Sequence, residues 1–248
     1  MFKIKFHLTI YRYEIILAAI VLLLTGSIVV SSKDKAKDFT FQDPRYPYKI
    51  ALTFDDGPHP YFTDRLVSIL REHNAPATFF LVGRQALEYP QLVQLISLAG
   101  HEVAGHSLTH SNFTKLSDKE IVNDIEMTRS ILEDASGKKS FFFRPPGGQY
   151  NLKVIKAGGL AGQDMVLWSV FPKDHEADDP EVIVSRVLNQ ASDGGVILLH
   201  SGREATIAAL PKIIKTLKER GYQFVTVMQL RTVSPSRQYV WLKRGMDY

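Results

Sequence analysis

The sequence predicts an α/β fold with a mostly parallel sheet, either open or closed into a barrel. Short apolar, β-branched or aromatic segments alternate along the chain with segments of helical periodicity, and this alternation is typical of parallel sheets. The chain has 248 residues, of which 45% are hydrophobic and 23% charged, so it can bury the core of one domain. No repeat of fixed period is present.

The predicted elements follow one another without long gaps. Each predicted strand is a short apolar run: residues 49–54, 77–82, 102–105, 141–143, 165–170, 196–199 and 224–227. The helical patterns between them cover residues 63–72, 90–99, 118–134, 152–157, 180–190 and 211–220. Ser117 and Glu120 form a capping-box pattern at the start of the third helix, whereas the fourth helix is short and weakly patterned. We expect the folded domain to cover residues 46–230.

The first 32 residues have the pattern of an export signal. Lys3, Lys5 and Arg12 precede an apolar run over residues 15–30. This run is shorter than the ~20 residues of a transmembrane helix but longer than the ~7 to 15 of a signal-peptide core. Cleavage and retention as a membrane anchor both stay open, and retention is favoured. Either outcome puts the domain outside the cytoplasm, secreted or anchored, after a linker over residues 33–45.

Composition excludes several classes of function. The chain has no cysteine, so disulfide frameworks, cysteine-ligated zinc, iron–sulfur clusters and thiol nucleophiles are ruled out. The formal net charge is +4, and the region after the leader has no long basic run, which argues against a nucleic-acid partner. Residues 231–248 contain Trp241 among basic residues and are predicted to be a solvated basic tail.

Two predicted strands end in groups that can bind a metal ion. The first strand leads into Asp55 and Asp56 before a Gly-Pro turn, and the third leads into His106 and His110. Each pair alone has an ordinary explanation, as turn formers or as incidental histidines. Carboxyl ends of parallel strands meet at one edge of a sheet or barrel, so the groups are expected to converge. Two histidines and one aspartate would give a three-ligand catalytic site, with the second aspartate a candidate base.

Two further strands deliver polar groups to the same edge. The fourth strand ends in Arg144, Pro145, Pro146, Gly147 and Gly148, where the arginine can pair with a carboxylate and the glycines expose backbone N–H groups to an oxyanion. A rigid structural loop is the alternative. The sixth strand ends in His200, which is either a hydrogen-bonded core histidine or a general acid.

Taken together, these motifs resemble those of the polysaccharide deacetylases, the carbohydrate esterase family 4 or NodB-homology domain. The resemblance covers roughly residues 46–227 and rests on four segments in order: Thr53-Phe54-Asp55-Asp56-Gly57-Pro58, His106-Ser107-Leu108-Thr109-His110, Arg144-Pro145-Pro146-Gly147 and Leu198-Leu199-His200. It implies a distorted (β/α) barrel of about seven parallel strands. It also implies a divalent metal, usually zinc, and hydrolysis of N-acetyl groups from polymers of N-acetylglucosamine.

The resemblance assigns roles residue by residue. Asp55 corresponds to the general base and Arg144 to its partner, while His200 corresponds to the general acid. The implied metal ligands are Asp56, His106 and His110. The implied substrate contacts are the backbone N–H of Gly147, at the oxyanion, and Leu198, a wall of the acetyl pocket.

One motif departs from the family pattern. The family's fourth motif has an Asp-Trp pair whose aspartate orients the acid histidine. Here Asp174 matches, but His175 stands where tryptophan is usual and Phe171 where another aspartate is common. This departure affects groove shape and substrate choice. Trp168 and Tyr150 are candidates for stacking on a sugar ring, with ordinary packing as the alternative.

The sequence therefore predicts a metal-dependent deacetylase of a polysaccharide such as peptidoglycan or chitin. Two other readings are a catalytically inactive carbohydrate-binding module at the cell surface and a metal-dependent hydrolase of a non-polymeric amide. Histidine and carboxylate ligands suit zinc, although cobalt or nickel can occupy similar sites. The sequence does not determine the polymer, the metal, the fate of the leader or the oligomeric state, and membrane contact is expected only through an uncleaved leader.

Overall fold

The computed structural model describes residues 47–233 and 241–242. The strands are β1 (Tyr48–Gly57), β2 (Ala77–Leu81), β3 (Glu102–Gly105), β4 (Phe142–Phe143), β5 (Asp164–Val166), β6 (Gly195–His200), β7 (Tyr222–Phe224) and β8 (Trp241–Leu242). The helices are α1 (Thr63–Glu72), α2 (Gly83–Glu88), α3 (Pro90–Leu98), α4 (Asp118–Ser136), α5 (Leu152–Leu160), α6 (Pro180–Gln190), α7 (Glu204–Glu219) and α8 (Val227–Val233). The predicted leader and linker lie outside the described residues. Within the described ranges, no helix is both long and apolar enough to span a membrane.

The sheet curls into a distorted barrel. Its strand order is β6-β1-β2-β3-β4-β5-β8, with β7 paired to the start of β1. The first seven strands pair in parallel, and β8 pairs antiparallel with β5. The segment that follows β5 lies beside β6. Val170 forms a parallel bridge with Ile197, and the backbone N–H of Ser169 donates to the Val196 carbonyl. The predicted parallel α/β barrel is therefore confirmed.

Side chains alternate between the interior of the barrel and the surrounding helices. One buried cluster fills the interior and includes Ala51, Phe80, Ala104, Phe142, Val166 and Val196, one from each of six strands. The intervening strand residues, such as Leu52 and Phe79, belong to a larger cluster beneath the helices. Because the side-chain period of a strand is two residues, residues at even distances from the interior cluster share its face.

Several local signals in the sequence form as expected. The side chain of Ser117 accepts from the backbone of Glu120 while the Glu120 carboxylate accepts from Ser117, so the capping box of α4 is confirmed. The helix ends at Gly137, whose φ of 67° lies in the left-handed region that glycine adopts at low cost.

Other boundaries were predicted wrongly. The last predicted strand, residues 224–227, stops at Phe224, because Thr226 and Gln229 form a capping box that starts α8. The helix predicted at residues 211–220 begins earlier, at Glu204, and continues through Pro211. The short helix α2 was missed. Within the predicted tail, Trp241–Leu242 pairs antiparallel with β5 as strand β8.

Candidate active site

The predicted polar residues collect at the carboxyl end of the barrel by strand periodicity. Asp55 lies four residues after the interior residue Ala51, and His106 lies two after Ala104. The same even spacing relates Arg144 to Phe142, Trp168 to Val166 and His200 to Val196. The strands that fill the barrel with apolar side chains therefore end by directing these polar groups into its mouth.

Asp55 and Arg144 form a buried ion pair at the centre of the site. Arg144 Nη1 donates to Asp55 Oδ1 at 2.6 Å and to Thr53 Oγ1 at 2.9 Å. Its other nitrogens donate to the carbonyls of Val166 and Leu167, and its guanidinium carbon lies 3.9 Å from the centre of the Phe80 ring. Burial lowers the pKa of Arg144, and the negative charge of Asp55 opposes this. Residues of β1 and β5, together with Leu167 directly after β5, accept the hydrogen bonds of the guanidinium. The Phe80 ring of β2 packs against its face.

A β-bulge brings the neighbouring Asp56 to the same mouth. Adjacent strand residues normally point to opposite faces, but the register of β1 with β2 shifts between Asp55 and Gly57, and Asp56 has a φ of 70°. Burial by itself would raise the pKa of Asp56. Hydrogen bonds from His106 and His110, together with the positive charge of His106 and His200, outweigh burial and hold the pKa of Asp56 well below its ordinary range.

The two histidines after β3 converge on Asp56. Nε2 of His106 lies 3.3 Å and Nε2 of His110 3.1 Å from Asp56 Oδ1. His106 Nδ1 lies 2.9 Å from the carbonyl oxygen of Arg144, and since a carbonyl only accepts, Nδ1 carries the proton. When this ring is neutral, its Nε2 is unprotonated and can bind a metal ion. The hydrogen bond to Asp56 raises the pKa of His110.

These three residues fit a divalent metal ion. Their ligand atoms lie within 4.8 Å of one another. Asp56 Oδ1 is buried and faces the Nε2 atoms of both histidines, so the three ligand atoms point toward one another. Two imidazoles and one carboxylate form the three-ligand set of catalytic zinc sites, and the proton of His106 is fixed from behind by a carbonyl, as metal-binding histidines require.

His200 faces this group from the opposite side of β1. Its Nδ1 lies 2.7 Å from Oδ1 of the fully buried Asp174, whose Oδ2 accepts from the backbone N–H of His200 and from Thr206 Oγ1. Burial by itself would lower the pKa of His200. The hydrogen bond and charge of Asp174 outweigh burial and raise this pKa, with further contributions from the carboxylates of β1. The ring is therefore suited to carry a proton.

The predicted substrate contacts lie on the rim, with one exception. Gly147 is exposed in the loop after β4, and Leu198 is buried in β6 two residues before His200. Gly148 has a φ of 66°, and a Cβ atom there would lie 2.5 Å from the Trp168 ring, so the indole packs directly on this loop. Tyr150 is 43% exposed beyond it, and no hydrogen bond or ring contact in the described residues joins it to the polar cluster.

Aromatic rings continue this rim as far as His200. Trp168 lies 5.5 Å from Phe171, and Phe171 stacks on His175 at 5.7 Å with an interplanar angle of 24°. His175 in turn meets His200 edge to face at 5.1 Å. The two residues that depart from the family pattern, Phe171 and His175, thus form part of the wall beside the proposed acid.

Some positioning residues were not predicted from the sequence. Thr53 and Phe80 hold Arg144, and Thr206 holds Asp174. Asp124, in α4, accepts from the backbone N–H of Leu108 and so braces the loop between the two histidines. Burial raises the pKa of Asp124 to about 6. The two-residue period of a strand places Thr53 on the same face as Asp55 and could have identified it. No local sequence pattern indicates Phe80, Thr206 or Asp124.

A family model described as polysaccharide deacetylase matches residues 43–166, half of the chain. The chain belongs to the polysaccharide deacetylase family. This family consists of hydrolases that act on amide bonds of polysaccharides, and the family membership, the fold and the class of enzyme predicted from the sequence are confirmed.

Individual polysaccharide deacetylases are similar to the chain over most of its length. A peptidoglycan-N-acetylglucosamine deacetylase of Bacillus cereus is 40% identical over 196 residues, covering 77% of this chain and 92% of that protein. The peptidoglycan-N-acetylmuramic acid deacetylase PdaC of Bacillus subtilis is 39% identical over 189 residues, covering 76% of this chain but 40% of that protein. Its solved structure matches with a TM-score of 0.73 at 38% identity, covering 79% of this chain and 96% of the solved chain.

Another family member bears on catalytic activity. A structure described as a family pseudoenzyme from Bacillus anthracis matches with a TM-score of 0.71 at 31% identity, covering 74% of this chain and 65% of that chain. The polysaccharide deacetylase fold thus occurs both in proteins named as enzymes and in one named as a pseudoenzyme. The catalytic activity of a protein with this fold therefore depends on the residues of its site.

Proposed function

We propose that this protein is a metal-dependent N-deacetylase of a polysaccharide containing N-acetylglucosamine, with peptidoglycan as the preferred polymer. The observation that carries the proposal is the convergence of two separate groups on one mouth of the barrel. One is a three-ligand set beside a carboxylate held by a buried guanidinium, and the other is a histidine whose pKa is raised by a buried aspartate. Amide hydrolysis needs both a base for water and an acid for the departing amine.

Asp56, His106 and His110 would hold the metal ion. When bound, a divalent cation such as zinc supplies Lewis acidity, which lowers the pKa of water and polarises an amide carbonyl. The ligand residues lie on β1 and on the loop after β3. The Arg144 carbonyl and Asp124 restrain that loop, so the ligand atoms need little rearrangement to converge.

Asp55 is the proposed base. Its Oδ1 is taken by Arg144, while its Oδ2 lies 3.7 Å from His106 Nε2 and so faces the ligand set. The guanidinium fixes the orientation of this carboxylate, which leaves one oxygen atom to accept a proton from the attacking water.

His200 is the proposed acid. Collapse of the tetrahedral species releases an amine that must gain a proton, and a histidine held protonated by Asp174 can donate it from Nε2. The exposed backbone N–H of Gly147 is the proposed donor to the oxyanion, and Leu198 the proposed wall of the acetyl pocket. Trp168 is the proposed stacking surface for a sugar ring, whereas Tyr150 would contact only a longer polymer that extends past the rim.

The choice of peptidoglycan over chitin rests on similarity alone. The Bacillus cereus and Bacillus subtilis relatives are both named as peptidoglycan deacetylases, one for N-acetylglucosamine and one for N-acetylmuramic acid. An exported protein would meet this polymer outside the cytoplasmic membrane, as the predicted leader requires. Protease treatment of intact cells tests this location, since an extracytoplasmic domain is digested and a cytoplasmic one is protected.

The second candidate function is an inactive carbohydrate-binding module. The similarity to a protein named as a pseudoenzyme favours it. Against it stands the completeness of this site, in which the candidate base, acid, ligands and both supporting partners are all present. A module without catalytic function would have no need to retain them together.

Acetate release by the full chain tests the proposal. Peptidoglycan and acetylated chitooligosaccharides are compared before chelation, after chelation and after zinc is restored. We expect acetate from peptidoglycan, its loss with chelator and its return with zinc. His110→Ala is expected to abolish release, whereas the matched control His59→Ala, outside the ligand set, is expected to retain it. Binding of both polymers without acetate from either would support the inactive module instead.

A further inference from the structure

We propose that His175 and His200 form a second divalent-metal site, weaker than the first, whose occupation removes His200 as a proton donor. The side chains of Asp174, His175 and His200 each offer a ligand atom within 4.8 Å of the others. This cluster is separate from Asp56, His106 and His110, the only other such cluster among the described residues.

The two histidine pairs have nearly the same geometry. The rings of His106 and His110 lie 5.2 Å apart at an interplanar angle of 61°, and those of His175 and His200 lie 5.1 Å apart at 72°. The first pair presents its nitrogens to a common point near Asp56. In the second pair, one ring nitrogen of His175 and one of His200 lie within 4.8 Å of each other, a separation that one ion can bridge.

Asp174 prepares His200 for this role without being a ligand itself. Its Oδ1 binds His200 Nδ1, so Nε2 remains as the available nitrogen of that ring. A carboxylate behind a metal-binding imidazole fixes the ring orientation and makes the imidazole a better ligand. Both oxygens of Asp174 accept hydrogen bonds, from His200 and Thr206, whereas Asp56 Oδ1 faces the Nε2 atoms of two histidines. With two protein ligands instead of three, the second site must be the weaker.

His175 is both ordered and accessible. Its ring stacks on Phe171, whose backbone N–H and carbonyl are each bonded to the side-chain amide of Gln190. The His175 side chain is nevertheless 42% exposed, and Glu176 Oε1 lies 3.4 Å from its Nε2, which adds negative charge for a cation. An ion can therefore reach this pair from solvent without unfolding the rim.

Occupation of this site has a chemical consequence. A metal ion on Nε2 of His200 takes the electron pair that would otherwise hold the proton, so the ring cannot donate to a departing amine. This consequence rests on the proposed function, whereas the metal binding does not. A residue that departs from the family pattern would thus make the enzyme sensitive to excess zinc.

Zinc stoichiometry of the full chain tests the binding. Equilibrium dialysis over increasing zinc, followed by elemental analysis, is compared for wild type, His175→Phe and the control His73→Phe. Phenylalanine keeps a ring to stack on Phe171 but removes both nitrogens, and His73 lies half-buried at the end of α1, outside both clusters. We expect two zinc ions per chain for wild type and His73→Phe, and one for His175→Phe. Equal numbers in wild type and His175→Phe would overturn the proposal.

Two further readouts separate the binding from its consequence. In histidine side-chain NMR spectra, the second zinc equivalent should shift the signals of His175 and His200; shifts confined to other histidines would overturn the assignment. With peptidoglycan, wild-type acetate release should fall about 10²-fold or more once the second site fills, and that of His175→Phe should not. Absence of acetate at any zinc concentration would count against the proposed function and leave the stoichiometry to decide the site.

Discussion

The carboxylate of Asp55 and the guanidinium of Arg144 form an ion pair of 2.6 Å in which the two side chains are 5% and 0% exposed. The pair is also a structural junction, because Arg144 follows β4, donates to Thr53 on β1 and binds carbonyls at the end of β5. Substitution of Asp55 is therefore expected to affect the rate of acetate release, and substitution of Arg144 is expected to affect the free energy of unfolding.

The first prediction concerns the proposed base. Asp55→Asn keeps the size of the side chain and a hydrogen-bond acceptor for Arg144 but cannot take a proton from water. We expect acetate release to fall about 10²- to 10⁴-fold, with metal content unchanged because Asp55 is outside the ligand set. Turnover and bound metal are measured on the same sample. Near wild-type turnover with metal present would show that Asp55 is not the base.

The second prediction concerns stability. Arg144→Met removes a fully buried cation and leaves Asp55 as an uncompensated buried charge. We expect a loss of about 3–5 kcal/mol in the free energy of unfolding, measured by urea denaturation. Arg65→Met is the matched control, since Arg65 pairs with Glu204 at 2.6 Å on the exposed surface. A loss no larger than that of the control would contradict the structural role of Arg144.

The third prediction concerns the orientation of the proposed acid. Asp174→Asn removes the charge that holds His200 protonated, and we expect turnover to fall by about 10²-fold with little change in metal content. Asp178→Asn is the control on the same loop, because Asp178 is fully exposed and pairs only across the surface with Arg203 at 3.1 Å. If both variants turned over like wild type, His200 would not depend on Asp174.

The fourth prediction concerns pH and lies at the opposite end of the barrel. Burial raises the pKa of Glu102 from 4.5 to about 7, opposed by hydrogen bonds from Thr78 and Met228. Between pH 4.5 and pH 7, Glu102 therefore keeps its proton in the folded state but has lost it in the unfolded state. The free energy of unfolding decreases as the pH rises through this range. For wild type, we expect the Glu102 titration to lower the free energy of unfolding by about 3 kcal/mol over this pH range. Because the side chain of Glu102→Gln cannot ionise, this decrease should be absent in the variant.

Urea unfolding of wild type and Glu102→Gln at pH 5 and pH 8 measures this difference. Comparing the two proteins at each pH cancels the titration of all other groups. The same change in unfolding free energy for both proteins between the two pH values would exclude Glu102 as the source.

Much of this site follows from strand periodicity. The apolar runs predict the main strands, and the polar residues that follow these runs lie together at one end of the barrel in the structure. The two-residue period also explains why Asp55 shares a face with Ala51 and His200 with Val196. It fails for Asp56, which reaches the site only through a bulge, and a bulge depends on pairing with β2 that a single strand's sequence does not specify.

The remaining features depend on contacts distant in sequence. Thr206 and Phe80 support site residues from α7 and β2, and neither has a local signature of that role. The pairing of Trp241–Leu242 with β5 likewise joins segments far apart in the chain. The start of α8, by contrast, has a local signal, because Thr226 and Gln229 form a capping box. The apolar run that precedes them favours a strand, and the sequence prediction followed that run.

Amide hydrolysis is proposed to depend on a metal ion held by Asp56, His106 and His110. The most direct measurement is bound zinc per chain, at a zinc concentration that fills only the tight site, together with acetate release from peptidoglycan, for wild type and Asp56→Ala. We expect one zinc ion and acetate release for wild type, and neither for Asp56→Ala. Undiminished acetate release by Asp56→Ala would show that hydrolysis does not depend on this site.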